Sequence, residues 1–143
     1  MNGFLIDTNV LSEYNRSGGP NTGVKRWLET NDRQSQYVSV ITLAEIQKGI
    51  DLLAAGKRRS QLEQWLSQEL EAWFSGRILP VDRRVAARWA SIVAEGSRSG
   101  RLLPTIDSLI AATALAYDLT VVTRNTSDFL SCGVKLLNPW ATT

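Results

Sequence analysis

Short apolar runs alternate along the chain with longer stretches in which apolar residues return every third or fourth position. Phe4–Ile6 has the look of a buried strand, and the stretch from Val10 through Leu11 to Tyr14 opens a helix. A polar loop, Ser17–Gly23, separates it from a second helix carrying Val24, Trp27 and Leu28. Tyr37–Ile41 alternates β-branched and apolar residues and predicts a second strand, followed by helix from near Thr42 to about Ala55. The spacing of Leu62, Trp65, Leu66, Glu69, Leu70 and Trp73 predicts one long helix over Arg58–Phe74. Ile78–Val81 is expected to be a strand ended by Asp82, and Arg83–Arg98 a helix with Val85, Ala86, Trp89, Ile92 and Val93 inward. Beyond the loop Ser99–Pro104, Thr105 is expected to cap an alanine-rich helix reaching about Tyr117. Leu119–Thr123 is the clearest strand, and a polar turn, Arg124–Asp128, leads to a short last strand at Val134–Leu137. Strands and helices alternating in this order predict a mostly parallel α/β sheet with helices on both faces.

Composition narrows the chemistry more than the fold. The chain has 143 residues with no internal repeat or linker, so a single domain over 1–143 is expected. No apolar run approaches the ~20 residues that span a bilayer, and no basic stretch with an apolar run precedes Asp7. The lone Cys132 has no disulfide partner within the chain, and a cytoplasmic location without membrane contact is the expectation. Histidine is absent. That removes Ser-His-Asp and Cys-His nucleophiles, histidine-pair ribonuclease chemistry and the usual structural zinc sites. Catalysis would have to rest on carboxylates, lysines, hydroxyls or a hard metal ion. Arginine outnumbers lysine twelve to four, and its planar fork suits bidentate contact with phosphate. The basic residues group at Lys57–Arg59, at Arg83, Arg84 and Arg88, and at Arg98 and Arg101, which is compatible with nucleic acid. Solvated helix faces account for any one of these groups equally well.

Three acids stand where a strand ends or a helix begins. Asp7 ends the first strand, where open α/β sheets place their ligands. Glu45 is expected in the first turn of the helix after the second strand, and Asp107 in the first turn of the helix after Pro104. Each has a structural alternative. Thr42 and Glu45 match a capping box, and an acid near a helix N-terminus is favoured by ~0.3–1 kcal/mol. Gathered at one sheet edge, however, three carboxylates would raise one another's pKa values unless a cation neutralised them. Oxygen ligands without histidine or cysteine point to Mg²⁺, with Mn²⁺ an alternative, and to metal-assisted phosphodiester hydrolysis.

The segments LIDTNVLSEY, SVITLAEIQKGI, GRILPVD, IDSLIAATALAYDLTVVTRNTSDF and LLNPW, in this order and spacing, resemble PIN-domain ribonucleases. More closely, they resemble the VapC/FitB-type toxins of bacterial type II toxin–antitoxin pairs. The resemblance implies a PIN-like fold and Mg²⁺-dependent endonucleolytic cleavage of RNA. It also implies a small antitoxin that blocks the site, a homodimer, a toxin–antitoxin hetero-oligomer, and operator DNA held only through the antitoxin. The family's acidic site carries over onto Asp7, Glu45 and Asp107, with Asp7 and Asp107 as direct metal ligands. Glu45 would be a ligand directly or through water, and would orient or deprotonate the attacking water. Thr8, Asn9 and Thr123 would support these carboxylates.

Relatives often carry an aspartate in the turn after the last long strand, where this chain has Thr123-Arg124-Asn125-Thr126. Asn125 can bond a water through its carbonyl but supplies no charge, and Asp128 lies three residues on. One metal ion is therefore expected rather than two. An aspartyl-phosphate phosphatase would need a second aspartate two residues after Asp7, where Asn9 stands. A catalytically weak partner acting mainly in an antitoxin–operator DNA complex is the other alternative.

Overall fold

The computed structural model describes residues 3–141. Its sheet has five parallel strands: β1 (Gly3–Ile6), β2 (Gln36–Ser39), β3 (Ile78–Leu79), β4 (Leu119–Val122) and β5 (Leu136–Leu137), in the order β3-β2-β1-β4-β5. Between them lie α1 (Thr8–Ser12), α2 (Thr22–Thr30), α3 (Val40–Asp51), α4 (Lys57–Gln64), α5 (Glu71–Trp73), α6 (Arg83–Arg98), α7 (Thr105–Tyr117) and α8 (Thr126–Phe129). The mostly parallel α/β architecture expected from the pattern is the one observed.

Side-chain alternation along each strand divides the core in two. Phe4, Ile6, Val38, Ile78 and Val122 face one layer, with Val24, Trp27 and Leu28 of α2, Ile46 and Ile50 of α3, and Leu70, Trp73 and Phe74. Leu5, Leu79, Leu119, Val121 and Leu136 face the other, against Ile110, Ala111 and Ala114 of α7 and Phe129 of α8. The small residues of α7 let it lie close to the sheet while Ala112 and Ala116 receive Val85 and Trp89 of α6. With both faces covered, β1, β3, β4 and β5 are mostly apolar, while β2 carries the buried polar Gln36 and Ser39 at its two ends.

Several boundaries differ from the sequence pattern, each for a local reason. β2 stops at Ser39 rather than Ile41, because the Ser39 hydroxyl accepts from the Ile41 amide at 3.0 Å and caps α3. Helix therefore begins at Val40, not Thr42, and ends at Asp51. The long helix expected over Arg58–Phe74 opens into a π-helical stretch at Trp65–Leu70 before α5. Glu69 falls on its exposed side while Leu70, Trp73 and Phe74 are buried. β3 is only two residues long, and Asp82 is not a strand end but the cap of α6, accepting from the Val85 amide at 3.0 Å. Ala86, expected inward, is exposed; Val85 and Trp89 fill the contact with α7 instead. Pro104, not Thr105, stands at the N-cap of α7, with no side-chain cap bond. β4 ends at Val122, β5 begins at Leu136, and the polar turn at 124–128 winds into α8.

The edge where the strands begin is braced by a buried polar cluster. Gln36 is fully buried; its amide donates to the carbonyls of Leu28 and Asn31 and its carbonyl accepts from the Trp73 indole at 3.1 Å. Arg77 donates to the backbone carbonyls of Arg33, Gln36 and Trp73, and so ties β2 to the approach of β3. Replacing Gln36 by Ala would strand two carbonyls and an indole N–H away from water. At about 1–3 kcal/mol for an unsatisfied buried group, the variant is expected to lose several kcal/mol of unfolding free energy, read from its urea midpoint. A midpoint within error of the parent's would show that water reaches this cluster.

Candidate functional site

The strand order reverses direction between β1 and β4, and the crevice outside their carboxyl ends is where such sheets bind ligands. Asp7 and Thr123 meet there. Asp7 is 5% exposed, and its amide continues the strand pairing by donating to the Val122 carbonyl at 3.0 Å. One carboxylate oxygen accepts from the Thr8 amide at 2.9 Å and so caps α1. The other accepts from the Thr123 hydroxyl at 2.8 Å and the Asn9 amide at 3.2 Å. Thr123 Oγ1 in turn accepts from Asn9 Nδ2 at 3.1 Å and from the Asn125 amide at 3.1 Å. The carbonyl of the Asn9 side chain accepts from the Arg124 amide at 3.1 Å. Thr8, Asn9 and Thr123 thus all donate to the Asp7 carboxylate.

Glu45 approaches from the helix on one face of the sheet and Asp107 from the helix on the other. The capping box weighed as the structural alternative for Thr42 and Glu45 does not form. With α3 starting at Val40, Glu45 lies in the second turn, and its Oε1 accepts from the Thr8 hydroxyl at 2.6 Å. Thr42 is buried, and its hydroxyl has no hydrogen-bond partner among the described residues. Asp107 does occupy the first turn of α7, half-buried. Burial first, then the negative charges of Asp7, Asp128 and Glu45, push its carboxyl up to about 6. Burial also raises Asp7, against the lowering effect of its hydrogen bonds to Thr123, Thr8 and Asn9.

Asp128 sits on the exposed side of α8 and belongs to this field through its effect on Asp107. Asn125 contributes its backbone amide rather than its side chain. Among the described residues no lysine or arginine pairs with Asp7, Glu45, Asp107 or Asp128. Nor do any three acids among them stand close enough to hold one ion together. The four carboxylates share one electrostatic field without forming a closed cage.

Two contributors were not read from the pattern. Ser39 sets where α3 begins and hence where Glu45 points; a serine at a strand-to-helix junction is a signal that could have shown it. Arg124 stacks its guanidinium over Trp140 at 5.2 Å, a long-range contact with no local signature. A concavity of about 960 Å³ along α3 and α4 is lined by none of the four acids.

A parallel sheet with carboxylates at the carboxyl ends of its strands agrees with the motifs. The PIN domain family matches residues 4–131, and this chain belongs to it. Toxin FitB from Neisseria gonorrhoeae is 42% identical over 137 residues, covering 96% of this chain and 98% of its own length. VapC ribonuclease Y4jK from Sinorhizobium fredii is 36% identical over 137 residues, covering 96% of this chain and 97% of its own. The crystal structure of FitAcB from Neisseria gonorrhoeae matches with a TM-score of 0.91 at 41% identity, over 97% of this chain and 99% of that one. The structure of FitAB bound to an IR36 DNA fragment matches at 0.90 and 39% identity, over 98% and 97%.

The raised carboxyl of Asp107 gives a pH signature of known sign. Between the ordinary value of 3.8 and about 6, the folded chain binds more protons at Asp107 than the unfolded chain does. Its contribution to stability therefore falls as pH rises through that window and stays lost above it. Asn at this position carries no charge at any pH. Without added divalent cation, the melting temperature of Asp107→Asn is expected to gain on the parent by a few degrees from below pH 4 to pH 7. A difference independent of pH would mean that Asp107 is not strained by its neighbours.

Proposed function

We propose that this protein is the toxin of a toxin–antitoxin pair, a single PIN domain over 1–143 that hydrolyses RNA phosphodiesters with Mg²⁺, or Mn²⁺, at Asp7, Glu45 and Asp107. The observation that carries the reading is a set of acids from the end of β1, α3 and α7 that share one field, with no basic side chain paired to them among the described residues. The ribonuclease name of Y4jK and the toxin name of FitB supply the substrate and the biological setting.

The donor set fits a hard divalent cation. The ligand atoms offered by Asp7, Glu45 and Asp107 are carboxylate oxygens, a bound cation would relieve their mutual repulsion, and the chain has no imidazole to compete. Asp7 and Asp107 would hold the ion directly and Glu45 through water, or directly only if the three acids, not close enough together as they stand, drew in around it. When bound, such an ion supplies charge neutralisation at the phosphate and makes a water more acidic. The chain's own residues supply the rest. Thr123 and Asn9 hold one oxygen of Asp7 from behind, and the Thr8 amide holds the other. Thr8 also fixes the rotamer of Glu45, whose second oxygen is left to orient the attacking water and accept its proton. Asn125 adds no charge, so the site would hold a single ion, with Asp128 modulating Asp107.

A cognate small antitoxin, a homodimer, a toxin–antitoxin hetero-oligomer and operator DNA reached through the antitoxin complete the proposal, in a cytoplasmic setting. Among the described residues no helix is long and apolar enough to cross a membrane. The DNA-bound FitAB structure favours a second reading, in which the protein serves mainly in an antitoxin–operator complex.

With purified protein, RNA and Mg²⁺, Asp7→Asn is expected to abolish cleavage while its melting curve stays cooperative. Thr123→Val is expected to retain the fold and lose about 10–100-fold in rate, the usual cost of removing a group that orients a ligand. Equal activity in parent and Asp7→Asn would refute the assignment; no activity in either, with operator binding intact, would favour the second reading.

A further inference from the structure

A cavity of about 300 Å³ between α1, α3 and α4 is lined by Thr8 and Glu45, the pair joined by a hydrogen bond. Thr8 and Glu45 form its inner wall. Trp65, half-buried at the start of the π-helical stretch, and Leu62 supply an apolar wall. Its rim is polar: Ser12, Asn15 and Arg58, the last donating to the Asn15 carbonyl at 2.7 Å across 43 residues of sequence. Arg58 pairs with no carboxylate among the described residues, unlike its neighbour Arg59, which is paired with Asp51 and Glu63.

Gly49 gives this cavity its room. It lies inside α3, where glycine is less favourable than alanine, and it lines the cavity. Its backbone does not take the left-handed conformation, and a Cβ built there would meet nothing within 4 Å. Neither packing nor backbone geometry requires glycine; open space beside Glu45 is what its absent side chain provides.

We propose that this cavity receives one unpaired base of the RNA, next to the phosphate held at the acidic cluster. The volume is at the small-ligand end of the pocket range, the indole offers a stacking surface, and Arg58 brings positive charge to the rim. Stacking on an aromatic face with a nearby cation is how single-stranded RNA is held, and the shared wall places the base beside the scissile bond. The inference rests on the ribonuclease reading for its substrate, yet its test does not need cleavage.

A single abasic ribose is walked along a short labelled RNA, and binding to Asp107→Asn protein is followed by fluorescence anisotropy. An abasic ribose at one position is expected to weaken binding about tenfold, and at the others by much less. Gly49→Leu, which fills the cavity from the helix, should weaken the intact RNA by a similar factor and erase the positional effect. Gly49→Ala should melt at or above the parent. Should Gly49→Leu fail to fold, Ser12→Leu fills the cavity from the exposed end of α1. An abasic effect equal at all positions, or one that survives a filled cavity, overturns the proposal. So does a filled cavity that binds RNA normally but no longer binds the antitoxin, which would assign the cavity to a protein partner. Loss of cleavage in the parent with the positional effect intact would remove the ribonuclease reading and leave the base pocket standing.

Discussion

A carboxylate almost removed from water at the end of a central strand has to be solvated by the protein itself. Asp7 is in that position, and its three donors come from the Thr8 amide, the Asn9 side chain and Thr123 at the end of β4, 116 residues away in sequence. Thr123 can reach it only because β4 pairs directly with β1. Thr8, held at the start of α1 by capping to Asp7, is then in place to donate to Glu45. The hydration shell that Asp7 lacks is thus replaced by groups that also join β1 to β4 and set Glu45. Any substitution that loosens the β1–β4 pairing would be felt as a change in acid geometry before it was felt as a change of fold.

Much of this was legible in the chain. An apolar run, an aspartate and then Thr-Asn at a strand's end, with no histidine anywhere, left few chemistries open, and the period of the apolar residues gave the order of strands and helices. What stayed illegible shares one cause: it was decided by partners distant in sequence. Glu45 had a good local partner in Thr42, yet Thr42 is buried and Glu45 bonds to Thr8, 37 residues away. The start of α3 was misplaced because two hydroxyls competed to cap it and Ser39 won. The π-helical stretch satisfies burial of Leu70, Trp73 and Phe74 against the sheet, a demand that a regular helical period does not contain. Spacing places Ala86 inward, but a methyl group carries too little apolar surface for spacing to decide its side, and it is exposed.

On the proposed function, capping and chemistry would fall to the same atoms, so the two descriptions of Asp7 are not rivals. A cap needs an oxygen that accepts from a free amide at a helix start; an ion site needs an oxygen held in a fixed direction. The Oδ1 bond to Thr8 meets the first need, and by fixing the carboxylate plane it also meets the second. Asp107 shows the contrasting case. It lies in the first turn of α7 yet accepts no hydrogen bond among the described residues, so the helix gains little from it and the charge is left strained.

That strain has to be offset elsewhere, and the polar bracing is distributed accordingly. Gln36, Arg77 and Trp73 bind the edge where β2 and β3 begin, with Trp73 stacked on Phe74, with Tyr14 edge-on to it and Arg33 over its face. At the start of β4, Tyr117 donates to Asp82, the α6 cap, while Arg84 donates to the Ala116 carbonyl and lies over the Tyr117 ring. These neutral or charge-matched contacts brace the starts of β2 and β4, with Asp82 reaching Tyr117 from the segment after β3. At the carboxyl ends the acids repel one another and only Asp7 is fully solvated by protein groups. Parallel strands make this division available, since all of them start at one edge and finish at the other. Because the two edges share the same five strands, stability gained at one supports a repulsive arrangement at the other that would be hard to sustain in an isolated loop.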